Sequence, residues 1–235
     1  DWINYTVMVL LAFIMIIWKC LVGTVTSVLC TAMVAYAITR PKLRLKKLYI
    51  PFIMLTMFFS GGLIPYFILI VDLGLYDSFW VYVIPTMFSA YNMIIIQSFM
   101  RELPSELIES AKLDGASEYR IFFQMILPLS KPVLATIALF TVVTHWNSYF
   151  DSMMYTSSQE LQTIQLFLKK VITDPSVSRG LGSAATIAIP DQAATLTPQV
   201  VKLATMVVTA LPVVCIYPFL QRYFVKGVTV GAVKG

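Results

Sequence analysis

The chain has 235 residues, of which 58% are hydrophobic and only 12% charged, with a mean hydropathy of +0.80. Soluble domains carry about a quarter charged residues, so a water-soluble globule is excluded and a polytopic helical membrane protein of the all-α class is expected. The net charge of +5 does not indicate nucleic acid, because the basic residues form no single patch interleaved with aromatics.

In chain order, residues 5–39 form an apolar run too long for one upright span and too short for two. Trp18-Lys19-Cys20 interrupts it, and a lone lysine beside a tryptophan suits a membrane interface. A span is therefore expected over about 18–39, with 1–17 as an outer-surface segment leading into it. The alternative makes 5–17 the tail of a truncated span. Arg40, Lys42, Arg44, Lys46 and Lys47 follow with no acid among them, which reads as a cytoplasmic loop. A second span, about 48–71, contains Pro51, Ser60-Gly61-Gly62 and Pro65, which permit kinks. The turn after it carries Asp72 and Asp77 and no base, hence outside. A third span, about 79–100, holds Asn92 and Gln97.

Residues 102–127 are the one charge-dense passage in the middle of the chain. Leu107, Ile108 and Ala111 fall on one helical face, with Glu106, Glu109 and Lys112 on the others. Pro104 fits the first helical position and Glu106 faces the positive end of the helix dipole. Gly115 supplies a stop, since glycine enters the left-handed region without steric cost. Ser117 can cap a second short helix carrying Ile121, Phe122, Met125 and Ile126, closing at Leu127-Pro128. The result is a helix–turn–helix, each arm too short to cross a bilayer.

A fourth span is expected over about 128–147. Residues 148–198 are the least hydrophobic part of the chain and form an extracytoplasmic segment. Within it Leu161, Ile164, Leu168 and Val171 recur at helical spacing, and 174–198, rich in Ser, Gly, Ala and Thr, reads as a loop. A fifth span, about 199–220, leads to a glycine-punctuated tail. Twelve of the seventeen basic residues then lie in the three inferred cytoplasmic regions, which places the amino end outside and the carboxyl end inside. An amino end outside implies a preceding span. Asp1 is no start methionine and no cleavable signal pattern opens the chain, so a sixth span is expected before it.

Chemistry of the chain's own is not indicated. It contains no Gly-x-x-x-x-Gly-Lys-Ser/Thr phosphate loop. One histidine and three scattered cysteines, Cys20, Cys30 and Cys215, cannot build the common metal sites. The cysteines lie in apolar stretches, as buried free thiols do. No nucleophile–base pair stands out, which disfavours an integral membrane enzyme. Polar residues inside spans are costly and mark a pathway: Asn92, Gln97, Thr141, Thr144 and His145, with Trp146, Asn147, Tyr149 and Asp151 at the outer mouth. The competing reading gives each of them an interhelical hydrogen bond or an interface anchor. Lys19, Lys169, Lys170 and Arg179 are expected to face outside.

Glu109-Ser110-Ala111, then Asp114-Gly115-Ala116, then Met125-x-Leu127-Pro128 resembles the "EAA" loop of permease subunits in binding-protein-dependent ABC importers. The family's loop has alanine where Ser110 stands and usually isoleucine at Met125. From Trp18 to Gly235 the order of spans and the closing Gly-x-x-x-Gly-x-Val-Lys-Gly are similar to the maltose-type carbohydrate-uptake permeases. Met57-Phe58-Phe59-Ser60-Gly61-Gly62-Leu63-Ile64-Pro65 and His145-Trp146-Asn147-Ser148-Tyr149-Phe150 look like a branch handling larger or acidic oligosaccharides, such as pectin-derived or alginate fragments.

The resemblance implies a single transmembrane domain of a bacterial-type inner-membrane importer, multi-pass and with a cytoplasmic carboxyl end. Its partners would be a homologous second permease, two ATPase subunits or domains, an extracytoplasmic solute-binding protein and the lipid bilayer. This chain would bind no cofactor itself, ATP and Mg residing on the ATPase. Glu106, Glu109, Ser110, Ala111, Asp114, Gly115, Ala116 and Pro128 would form the coupling loop. Glu109 would pair with a base of the ATPase, and Ser110 and Ala111 would allow close approach. Val230, Gly231, Lys234 and Gly235 match the tail that can reach toward the ATPase interface. Read from the residues alone, Glu109 is a solvated carboxylate pairing with Lys112. The solute is expected to be a sugar or oligosaccharide, with a peptide or organic ion as the alternative.

Overall fold

The computed structural model describes residues 2–41, 43–174, 176, 177, 179, 181 and 199–215. The tail residues Val230, Gly231, Lys234 and Gly235, and most of the 174–198 loop, lie outside the described residues. Among those described, every regular element is helical.

Helix α1 runs from Trp2 to Thr39, 38 residues without a break, or ~57 Å at 1.5 Å per residue. That is nearly twice the ~30 Å of a bilayer's hydrocarbon layer. The separate lead-in expected over 1–17 is thus the same helix as the span. No glycine or proline interrupts residues 2–22, so nothing in the backbone asks for a break there. Ala12, Ile16 and Cys20 on the amino-terminal half pack against Ile164, Phe167 and Val171 of a later helix, α9 (Ile164–Thr173).

The stretch expected as one span over 48–71 is two helices, α2 (Lys46–Phe58) and α3 (Leu63–Asp72), bent by 114° at the break. Gly62 sits there at φ +85, a left-handed value that side chains disfavour. The expected span over 79–100 also differs. Phe79–Tyr82 form one 3₁₀ turn, and the helix proper, α4, is Ala90–Arg101. Pro85 cannot donate in a helix interior, and Ser89 then restarts the helix by accepting from the Asn92 amide at 3.3 Å.

Two short helices follow, α5 (Ser105–Leu113) and α6 (Glu118–Leu129), and then α7 (Lys131–Asn147), bent by 79° from α6. The α6 helix closes at Leu129, one residue past the expected Leu127-Pro128. Its Phe122–Ile126 segment widens to a π turn, which spares the Gln124 carbonyl a clash with the Pro128 ring and lets the helix reach Leu129. Beyond α7 come α8 (Phe150–Tyr155), α9 and α10 (Gln199–Cys215). In α9 the buried residues are Ile164, Leu166, Phe167 and Val171, so Phe167 takes the inward place expected of Leu168.

α1 packs chiefly on α7 and α4. The largest core joins Ala32, Ala35 and Tyr36 of α1 to Met93 and Ile96 of α4, Ile108 and Ala111 of α5, Ile121, Phe122 and Ile126 of α6, and Leu134 and Ile137 of α7. One described helix is long and apolar enough to cross a membrane, or three spans result if each bent pair counts as one.

Candidate functional site

The hairpin is built by local rules. Gly115 stands at φ +77, and its amide donates to the Lys112 carbonyl at 3.0 Å to close α5. Ser117 then accepts from the Arg120 amide at 3.3 Å and opens α6. Ile108 and Ala111 face the core, whereas Leu107 is 42% exposed. Glu106, Glu109, Ser110, Asp114 and Pro128 are exposed, and Ala116 is half-buried. Ala111 is therefore not a surface contact, and the close approach its small side chain allows is to the chain's own helices. Leu113 and Tyr119 project at 90% and 74% exposure, the unpartnered apolar side chains of the hairpin tip.

Charge ties the hairpin together. Lys112 pairs with Glu118 at 2.7 Å, not with Glu109. Tyr36 of α1 donates to the other Glu118 oxygen at 2.6 Å. Partial burial works to raise the Glu118 pKa, but the hydrogen bonds from Lys112 and Tyr36 and the charges of Lys112 and Arg40 outweigh it and hold the carboxyl below its ordinary value. Glu109 makes no hydrogen bond or ion pair among the described residues and lines a groove of about 240 Å³ with Arg40, Arg101 and Lys112. A carboxylate left free at such a groove is available to a partner's cation.

The second candidate region is a cleft of about 670 Å³ between α1, the irregular 83–89 segment, α4 and α7. Asn92, Thr141, Thr144, His145 and Asp151 all line it, together with Ser27, Thr86, Ser89 and Ser148, which sequence reasoning passed over. Hydroxyls, an amide, an imidazole and a carboxylate beside the rings of Phe88, Tyr91 and Phe140 suit a polyhydroxylated solute. The irregular backbone fits the place, since non-helical segments at membrane depth are tolerated where they line a cavity.

The remaining expected path residues lie elsewhere. Gln97 is buried among the helices and does not line the cleft. Trp146 is also buried, and its indole donates to the Thr209 carbonyl of α10 at 3.1 Å, which makes it a helix-to-helix tie. Asn147 returns to the Val143 carbonyl at 2.9 Å. Tyr149 lies under Lys169, whose Nζ is 4.3 Å from its ring centroid.

Lys19 corrects the sequence reading most. It does not face outside but is fully buried, with Nζ 3.4 Å from Asp151 Oδ2 and 3.4 Å from the Ser148 carbonyl. The ammonium also lies 4.6 Å from the Tyr82 ring centroid. Ser148 Oγ donates to the same Asp151 oxygen at 2.6 Å. Asp151 is thus oriented at the cleft wall by two donors. One turn along α1, Gly23 meets the His145 ring so closely that an added Cβ would lie 2.8 Å from Nε2. A glycine facing a neighbouring helix is the usual sign of close approach in membranes, but nothing local says which side chain fills the space.

A family described as the binding-protein-dependent transport system inner membrane component matches residues 6–230. The polygalacturonan/rhamnogalacturonan transport system permease protein YtcP of Bacillus subtilis is 38% identical over 214 residues, 91% of this chain and 73% of that protein. The arabinooligosaccharides transport system permease protein AraQ of Halalkalibacterium halodurans is 28% identical over 221 residues, 93% of this chain and 72% of that one. A crystal structure of a bacterial ABC transporter involved in the import of the acidic polysaccharide alginate contains a similar chain. It superposes with a TM-score of 0.84 at 30% identity, covering 92% of this chain and 75% of that chain. This chain, with its exposed hairpin and its cleft between helices, belongs to the family of binding-protein-dependent transport system inner membrane components.

Proposed function

We propose that this chain is the permease subunit of an ATP-driven importer and passes a sugar or oligosaccharide, delivered by an extracytoplasmic binding protein, across the inner membrane. The observation that carries this reading is family membership over residues 6–230, joined to relatives named for saccharide transport. Those names favour a saccharide over the peptide or organic-ion alternative. Five crossings, with the carboxyl end in the cytoplasm, are the topology we infer from the charge distribution. The chain hydrolyses nothing itself. ATP and Mg belong to two ATPase subunits, and a second, homologous permease completes the pathway.

The α5–α6 hairpin is the ATPase seat in this reading. Glu106, Glu109, Ser110 and Asp114 face outward around the Gly115 turn, and Ala111, Ala116 and Pro128 fix how the hairpin meets the bundle. Closure of the ATPase dimer moves the hairpin, and the helices packed against it switch access from outside to inside. Asn92, Thr141, Thr144, His145 and Asp151 would contact the solute in the cleft. Co-purification from native membranes tests this, followed by ATPase assay with binding proteins loaded with galacturonate oligomers or neutral oligosaccharides. Recovery of an ATPase whose hydrolysis one loaded binding protein stimulates is the expected result. A chain that purifies alone and stimulates no ATPase would overturn the reading.

A further inference from the structure

The hairpin is joined covalently to the bundle at two places, and both are bent. Residues 102–104 between α4 and α5 are non-helical, and α6 meets α7 at 79° across Ser130. Such joints absorb a displacement by changing backbone angles and pass on little of it. The hairpin's side-chain link to α1 has the opposite character. Glu118 sits in the first turn of α6 and uses both carboxylate oxygens, one on Lys112 of α5 at 2.7 Å and one on the Tyr36 hydroxyl at 2.6 Å. The Tyr36 ring is buried, packs on Phe122 of α6 at 5.2 Å between centroids, and carries the Arg40 guanidinium 4.2 Å from its own centroid. One side chain is thus gripped by both a hydrogen bond and an aromatic contact.

From Tyr36 the helix continues unbroken to Lys19, ~25 Å at 1.5 Å per residue. There it meets the rim of the cleft through Asp151 and Ser148. We propose that α1 carries the hairpin's movement to the outer mouth of the cleft, and that Tyr36 is the positioning residue by which Glu118 moves it. A shift of α6 pulls Tyr36, the helix moves as a rod, and the Lys19–Asp151 contact further along it opens or closes the rim. The proposal rests on the importer reading and adds a route for its coupling.

The test is the complete importer in vesicles, scored as saccharide taken up per ATP hydrolysed with the loaded binding protein present. Tyr36→Phe removes one hydroxyl and keeps the ring. It is expected to leave stimulated hydrolysis near wild type and to lower the uptake-to-ATP ratio by about five-fold, the lower end for energetic coupling between sites. Glu118→Gln added to Tyr36→Phe should lower the ratio no further than Glu118→Gln alone, because both act on one link. Lys112→Met breaks only the hairpin's internal pair and should lower the ratio less than Tyr36→Phe. A Tyr36→Phe importer with the wild-type ratio overturns the lever while leaving the importer reading intact. A wild-type complex with no stimulated hydrolysis overturns that reading and the lever with it.

Discussion

Gly23→Ala sets two effects of opposite sign against each other. Alanine in a helix interior is favoured over glycine by about 1 kcal/mol, so propensity alone predicts a more stable protein. The packing predicts the reverse. The new Cβ would lie 2.8 Å from His145 Nε2, 3.0 Å from Cε1 and 3.2 Å from Cδ2, where ordinary contacts begin at ~3.5 Å. The ring is 4% exposed and held between α1 and α7, so relief requires the helices to part or the imidazole to swing into the cleft. Overpacking of this kind costs about 1–3 kcal/mol, leaving a net loss of ~1 kcal/mol and a thermal midpoint about 2–4 °C lower for a chain of this size. Thermal unfolding of the detergent-purified complex measures it, with uptake assayed in parallel. In a His145→Ala background Gly23→Ala should cost no stability relative to His145→Ala alone, because the colliding ring is gone. The reasoning fails if Gly23→Ala is at least as stable as wild type and imports at the wild-type rate.

Gly115→Val forces a β-branched residue to φ +77, a region it avoids, and is expected to cut uptake per ATP while hydrolysis persists; normal uptake by that variant contradicts the turn's role. Asp151→Asn leaves Lys19 buried without a counter-charge and should destabilise by ~3 kcal/mol. Lys19→Met combined with Asp151→Asn should regain most of that, read by the same thermal midpoint, and a double variant as unstable as Asp151→Asn would show that the pair is not what matters. Glu118 has a depressed pKa in the folded chain, so the stabilisation it supplies is present above the unfolded value of ~4.3 and is lost as pH falls through the lower folded value. Amide exchange of residues 112–121 should therefore be flat from pH 7 to about 5 after correction for intrinsic rates and rise only at more acid pH; a rise near neutrality contradicts the assignment.

Composition and periodicity decided the class of this protein. A chain this apolar can satisfy its backbone in a bilayer only by helices or a closed barrel, and its apolar runs are long and unalternating. The turn at Gly115 and the cap at Ser117 were equally legible, because each depends on residues within four positions of one another. Pro85 and Ser89, read correctly, would have shown that 79–100 is not one helix. Where the chain's distant parts meet was not legible. Lys19 looked like an interface residue until its partner Asp151, 132 positions away, was brought beside it. Gly23 carried no meaning until His145 packed against it, and Ala111 looked like an outward contact until the fold buried it in the core. Secondary structure is set by neighbours in sequence, but the burial of a charge, the need for a glycine and the direction a hairpin face turns are set by neighbours in space, which only the tertiary fold supplies.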